Sequence, residues 1–175
     1  MMPPPSHLTE WVVPDDERID EESFAGRVQC PCGSQELQLL YLGQTHEYQG
    51  EQIPCTAEID GRFFFLIQAL CARCGATHTL LDIDFHGWDG YVCHDAEQAA
   101  LARPELTEWT CPDCGGSFHT ARIGIETQGK EDFIEETNGE FPQERWPDGF
   151  SWFDMSIECV KCGRSPETWV SCETM

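Results

Sequence analysis

The stretch Asp60–Gly75, DGRFFFLIQALCARCG, recurs without a gap as Asp148–Gly163, DGFSWFDMSIECVKCG. In both copies a cysteine follows ten residues after the glycine of an Asp-Gly pair (Gly61 to Cys71, Gly149 to Cys159), and a C-x-x-C-G sequence closes the segment. Phe65, Ile67 and Ala69 of the first copy answer to Phe153, Met155 and Ile157 of the second. These positions alternate, so they predict one buried face of a strand that runs into a cysteine knuckle. The other face carries Leu66, Gln68 and Leu70 against Asp154, Ser156 and Glu158, and should be the more buried in the first copy. Asp-Gly ahead of each strand is a hairpin-turn signal.

Working outward, each copy has an earlier knuckle as well: Cys30-Pro31-Cys32-Gly33 and Cys111-Pro112-Asp113-Cys114-Gly115. Strand-like runs follow them, Leu37 to Leu42 and Phe118 to Ile125. Two more runs, Thr77 to Asp84 and Glu167 to Cys172, follow the later knuckles. Eight of the eleven cysteines thus form four short couples, each followed at once by glycine. A turn that aims two thiolates at one ion curls tightly and takes φ > 0 after the second cysteine, which glycine does without strain. Two couples supply four thiolates, the set that suits tetrahedral Zn²⁺. Iron is bound by similar knuckles. An odd cysteine count with no secretory signal speaks against a disulfide framework, and no couple opens a helix in a βαβ unit as a thioredoxin-like motif would. The expected metal ligands are Cys30, Cys32, Cys71 and Cys74 for one Zn²⁺, and Cys111, Cys114, Cys159 and Cys162 for a second.

This arrangement resembles the zinc-ribbon group, in which two knuckles at the end of a short antiparallel sheet hold one metal. The resemblance covers the knuckles and their adjoining strands, about half of the chain. It departs from the usual pattern in the C-x-C spacing of the first knuckle and in long gaps of 38 and 44 residues between knuckles. It implies a metal and a fold type, and no particular activity. The expected fold is mainly β with a small helical linker: two tandem zinc-ribbon-like antiparallel modules packed as one body. The boundaries are an acidic, proline-rich tail (1–26), a first module (27–94), a helical linker (95–107) capped by Asp95 and ended near Pro104, and a second module (108–175). The tail, with Asp15, Asp16, Glu17, Asp20, Glu21 and Glu22, is expected to be mobile alone and to order on a partner, with Phe24 anchoring its end. A second acidic stretch, Lys130 to Gly149, interleaves Phe133, Ile134, Phe141 and Trp146 with its carboxylates, and these apolar residues are expected to fold back on the sheet.

Charge limits the partners. In 175 residues the chain has 10 Lys+Arg against 32 Asp+Glu, a formal net charge of -22. With no basic cluster, direct binding to nucleic-acid phosphates is not expected. The longest apolar run, Phe63 to Ala72, is too short to span a membrane, and the start lacks a signal-peptide pattern, so a cytoplasmic setting is expected. One polar cluster invites a catalytic reading: Asp82, Asp84 and His86 alternate along a strand, and Cys93 and His94 follow a turn. Together they are the residues of a third, open metal site in a metal-dependent hydrolase. No known catalytic motif accompanies them, and the expectation is no enzyme. A protein-interaction module, adaptor or inhibitor, that offers an acidic surface to a basic protein is the leading expectation. Its sharper form is a nucleic-acid mimic of the immunity-protein kind. The other alternative is an accessory zinc-ribbon component of transcription or translation machinery. Cys55, Cys93 and Cys172 stand outside the couples and read as small buried residues.

Overall fold

The structure, a computed structural model, describes residues 2–15, 21–166 and 168–175. In chain order the strands are β1 (Val12–Pro14), β2 (Ser23–Val28), β3 (Leu37–Leu42), β4 (Gln44–Tyr48), β5 (Glu51–Cys55), β6 (Ala57–Ile59), β7 (Arg62–Phe64), β8 (Leu66–Cys71) and β9 (Thr77–Asp82). Helix α1 (Ala96–Ala99) and strands β10 (Thr107–Glu108) and β11 (Phe118–Glu126) follow, then helix α2 (Lys130–Glu136), β12 (Trp152–Cys159) and β13 (Val170–Glu173). The fold is mainly β and antiparallel, and the two cysteine groups lie in distinct regions. Among the described residues no helix is long and apolar enough to cross a membrane.

The repeat read in the sequence is a repeat of structure. Strands β3, β8 and β9 form an antiparallel meander, and β11, β12 and β13 form it again. Phe65, Ile67, Ala69, Phe153, Met155 and Ile157 are all buried, as their alternation requires. Asp60-Gly61 makes the expected two-residue turn between β6 and β7, with both residues at positive φ (54° and 76°).

The copies are joined by an exchange of strands. Leu37 pairs with Cys71 in the first ladder, and His119 with Cys159 in the second, so Leu37 and His119 are equivalent positions. They also pair with each other where β11 meets β3. A residue paired antiparallel with its own equivalent lies on a two-fold axis, and the two copies are therefore related by a pseudo-two-fold through this pair. The flanking strands obey the same axis. β2, which leads into Cys30, pairs with β11 of the other copy (Arg27 opposite Arg122), while β10, which leads into Cys111, pairs with β3 (Glu108 opposite Leu40). Arg27 and Glu108 each stand three residues before the first cysteine of their copy. Each exchanged strand covers part of an edge of β3 or β11 that would otherwise expose unpaired backbone groups. Strand β2 runs across position 26/27 and β10 across 107/108, and one core draws on Leu39, Ile67 and Leu80 of the first copy and on Ile123, Phe153 and Trp169 of the second.

Two expectations are corrected. The stretch read as a mobile tail is packed against the body: it supplies β1 and the first residues of β2, with a 3-10 helix, Ser6–Leu8, before them. Met2, Leu8, Trp11, Val12 and Phe24 are buried, and β1 pairs with β2. Asp16, Glu17 and Asp20 lie outside the described residues, as does Glu167, the expected first residue of the last strand. Asp148-Gly149 is not a hairpin turn. It ends a 3-10 helix, Gln143–Gly149, where Pro147 fixes the preceding φ. The buried Asp148 carboxylate instead accepts hydrogen bonds from Ser6 N and Oγ and from Arg145 Nε. In the second acidic stretch Phe133 is buried but packs against Trp88 and Phe141, outside the sheet, and it is the half-buried Trp146 that packs against the shared core.

The N-terminal segment is fastened by three histidines. His7 stacks on His86 with ring centroids 3.6 Å apart, and its Nε2 donates to Leu80 O. His78 Nε2 donates to His7 O at 2.6 Å, and Asp82 N donates to His86 Nδ1, which fixes His86 as a neutral acceptor. Burial lowers His7 to about 3, helped by the neighbouring His86, and lowers His86 to about 4. Because both folded values lie below the unfolded value of 6.5, the unfolded chain binds more protons in between. Their contribution is full above pH 6.5 and is lost as pH falls towards 4 and 3. Denaturant midpoints should therefore fall from pH 7 to pH 5. His7→Gln, which keeps a donor for Leu80 O and has no charge to gain, should flatten that fall, and an unchanged slope would contradict it.

Candidate metal centres

The four knuckles sit at strand ends: between β2 and β3, β8 and β9, β10 and β11, and β12 and β13. In the three C-x-x-C-G knuckles the glycine N–H donates to the carbonyl of the first cysteine (Gly75 to Cys71, Gly115 to Cys111, Gly163 to Cys159). The first cysteine's own N–H donates to the residue five positions on: Ala76, Gly116 or Arg164. The Cys-Pro-Cys knuckle is the same device shortened by one residue, with Gly33 N donating to Cys30 O and Cys30 N to Ser34 O. All four glycines take positive φ, between 66° and 88°. That region is strained for any residue with a Cβ, which accounts for glycine at each of these turns.

The turns bring Cys30, Cys32, Cys71 and Cys74 together in one group, and Cys111, Cys114, Cys159 and Cys162 in another. Within each, all sulfurs lie within 4.8 Å of one another. The closer approaches are 3.5 Å for Cys30–Cys74 and 3.6 Å for Cys32–Cys71, Cys111–Cys162 and Cys114–Cys159. Disulfide sulfurs would be about 2.05 Å apart. A tetrahedron with metal–sulfur bonds of about 2.3 Å has edges of ~3.8 Å. The sulfur sets thus fit a tetrahedral ion at its proper size. In each group one cysteine per knuckle is buried (Cys30, Cys71, Cys111, Cys159), while Cys32, Cys74 and Cys162 are exposed and Cys114 is half-buried.

Electrostatics point the same way. Burial opposes ionisation of Cys71, but N–H groups of Cys74 and Arg73 aimed at its sulfur, and the nearby Cys32 and Cys30 sulfurs, bring it down to about 6. Cys159 falls to about 7 by the same opposition of burial to the amides of Cys162 and Lys161. Burial and the surrounding sulfurs push Cys30 up to about 12. Four sulfurs this close cannot all ionise without a cation among them, and a divalent ion would remove that conflict. With four thiolates filling the coordination shell there is no open position for water or substrate, so the arrangement is suited to holding structure.

One supporting feature is absent from the sequence reading. Arg73, which precedes Cys74, donates from Nη1 to Cys32 O across its site. Lys161, which precedes Cys162, donates from Nζ to Cys114 O across the other. These equivalent cations tie the facing knuckles together and offset part of the net charge of about -2 that a tetrathiolate with a divalent ion carries. The recurrence of a basic residue in Arg-Cys-Gly and Lys-Cys-Gly was the available signal.

The third metal site is corrected. Asp82 and Asp84 are buried, but they are held by arginines: Arg103 Nη1 to Asp82 at 2.6 Å, Arg103 Nη2 to Asp84 at 2.7 Å, and Arg62 Nη2 to Asp84 at 2.9 Å. His86 is turned towards His7 and accepts from Asp82 N, and His94 Nδ1 donates to Asp84 O. Among the described residues only the two cysteine groups gather three or more ligand atoms. Cys93 is exposed, and Cys55 and Cys172 are half-buried. No family model matches the chain, and no curated protein or solved structure matches it either.

Because the copies exchange strands across their shared axis, losing one metal should weaken both. Cys74→Ser should lower the bound metal by one ion per chain and lower the thermal midpoint of the whole chain in a single transition. Tryptophan fluorescence, which reports on the first copy through Trp11 stacked on His78 of β9 and on the second through Trp169, and far-UV circular dichroism should move together. Two separated transitions would contradict the coupling.

Proposed function

We propose that the chain is a structural-zinc protein-interaction module, an adaptor or inhibitor, that presents an acidic surface to a protein with a basic one. The two tetracysteine groups hold Zn²⁺, chosen for its fit to four thiolates in a closed tetrahedral shell. Binding of such an ion contributes on the order of 10 kcal/mol or more to folding in small zinc domains. In this reading the chain is not an enzyme, and it acts in the cytoplasm, where thiols stay reduced.

The observation that carries the proposal is the meeting of the two acidic stretches. Glu21 and Glu22, from the N-terminal segment, and Glu131 and Asp132, from the first turn of α2, line one open cavity of about 530 Å³ together with Lys130, Pro3 and Trp146. Glu135, Glu136, Glu140 and Glu144 stand exposed on the neighbouring surface. Stretches more than a hundred residues apart in sequence thus make one negative face with a tryptophan within it. Its field adds to the overall surplus of -22, and two loaded sites would take the charge to roughly -26. Such a field raises the encounter rate with a basic protein and repels phosphate backbones. The sharper form of the proposal is that this face occupies the nucleic-acid site of its partner.

Zinc-loaded chain should capture basic proteins that elute between 0.1 and 0.5 M salt, since screening shortens to a few ångströms over that range. Glu131→Lys/Asp132→Lys should abolish the capture. Retention of the same proteins by that variant, or elution unaffected by salt, would refute the reading. For the mimic form, nucleic acid should compete with the chain for the partner, and a ternary complex would rule it out.

A further inference from the structure

A second cavity lies among elements that the metal sites and the acidic face do not use. It has a volume of about 330 Å³ and is formed by the β6–β7 hairpin, the turn after β9, the start of α1 and the end of β13. The larger part of its lining is apolar, although Thr56, Gln98 and Thr174 also border it. Phe63 is 54% exposed although it is a phenylalanine, and Ile83, Cys93 and Cys172 continue the lining. Polar groups stand around them: Asp89, Asp95 and Glu173 are all carboxylates, and no basic side chain lines the cavity.

The acidic groups differ in how far they are committed. Asp84 also borders the cavity, but Arg62 and Arg103 hold it. Asp95 caps α1 by accepting from Glu97 N and Gln98 N through one oxygen, Oδ1. Asp89 and Glu173 face one another's charge, and burial followed by that repulsion raises the Asp89 carboxyl. Like charges held together beside an apolar wall are stabilised by a cation that reaches them along that wall. An exposed aromatic face adds attraction for the same cation.

Apolar walls with a carboxylate end match one side-chain chemistry, a long methylene stem that carries a positive head. We infer that this cavity is an anchor for a lysine or arginine side chain of the basic partner, with the stem against Phe63 and Ile83 and the head between Asp89 and Glu173. The inference rests on the proposed basic partner and narrows it to a surface that offers a protruding basic residue. It assigns Asp89 and Glu173 a local role that a diffuse negative field would not require.

The test uses the full zinc-loaded chain and a decalysine peptide as probe. Titration followed by backbone amide NMR should shift Phe63, Asp89, Cys93 and Thr174. Asp89→Asn/Glu173→Gln should weaken binding at least tenfold, while Glu47→Gln/Glu105→Gln, which removes the same two charges from exposed positions, should weaken it less than threefold. Phe63→Ala, which changes no charge, should also weaken it. Zinc content and circular dichroism establish that each variant is folded. Equal weakening by both double variants, or a Phe63→Ala variant that binds as the parent does, would overturn the anchor and leave the acidic-surface reading standing. Failure of decalysine to bind the parent chain would overturn both.

Discussion

Two of the eight cysteines in the candidate metal groups, Cys71 and Cys159, are also the last residues of their strand ladders, and the rest of the structure depends on that coincidence. Cys71 pairs with Leu37, and Cys159 with His119. An ion held by Cys71 or Cys159 therefore pins the register of the strand behind it. A slip of one residue would turn Phe65, Ile67 and Ala69, or Phe153, Met155 and Ile157, out of the core and would withdraw a ligand at the same time. Hydrophobic pattern and metal chemistry thus select the same pairing. The same two pairs meet at the pseudo-two-fold axis, so fixing one ladder also helps to place the other.

Strand exchange turns two small modules into one body. Neither meander has a large core of its own, and domains of that size are marginal without metals or partners. Here each copy lends a strand to the other. The shared core adds Met2, Leu8 and Trp11 from the N-terminal segment, beyond either repeat. Such a body can tolerate a strongly acidic composition because its cohesion comes from apolar burial and strand pairing, to which ions in the two cysteine groups would add. Three of its eight arginines compensate buried carboxylates: Arg62 and Arg103 those of Asp82 and Asp84, and Arg145 that of Asp148.

Much of this was legible in the residues, for physical reasons. The knuckles, the strand Leu37–Leu42, the alternating faces of β8 and β12 and the Asp95 cap are all local signals, in which a turn, a period of two or a capping oxygen declares itself within a few positions. The exchange was not legible. β10 is two residues long, and β2 follows an acidic run that by charge alone reads as solvated. Met2, Leu8, Trp11 and Val12 are spaced among prolines with no period, so nothing local predicts their burial. Asp148-Gly149 misled because a turn signal was overridden by a distant partner, Ser6. Asp82, Asp84 and His86 misled in the same way: alternation placed all three along one strand, but β9 ends at Asp82, and the arginines that neutralise the two carboxylates come from about twenty residues away on either side.

The central claim is that two tetrathiolate ions hold the ladders in register. It is tested most directly by native mass spectrometry with elemental analysis of protein purified without chelator. The account predicts two zinc ions per chain, with loss of the folded charge-state distribution when they are removed by chelation under reducing conditions. A chain that keeps its folded distribution after both ions have gone would contradict it.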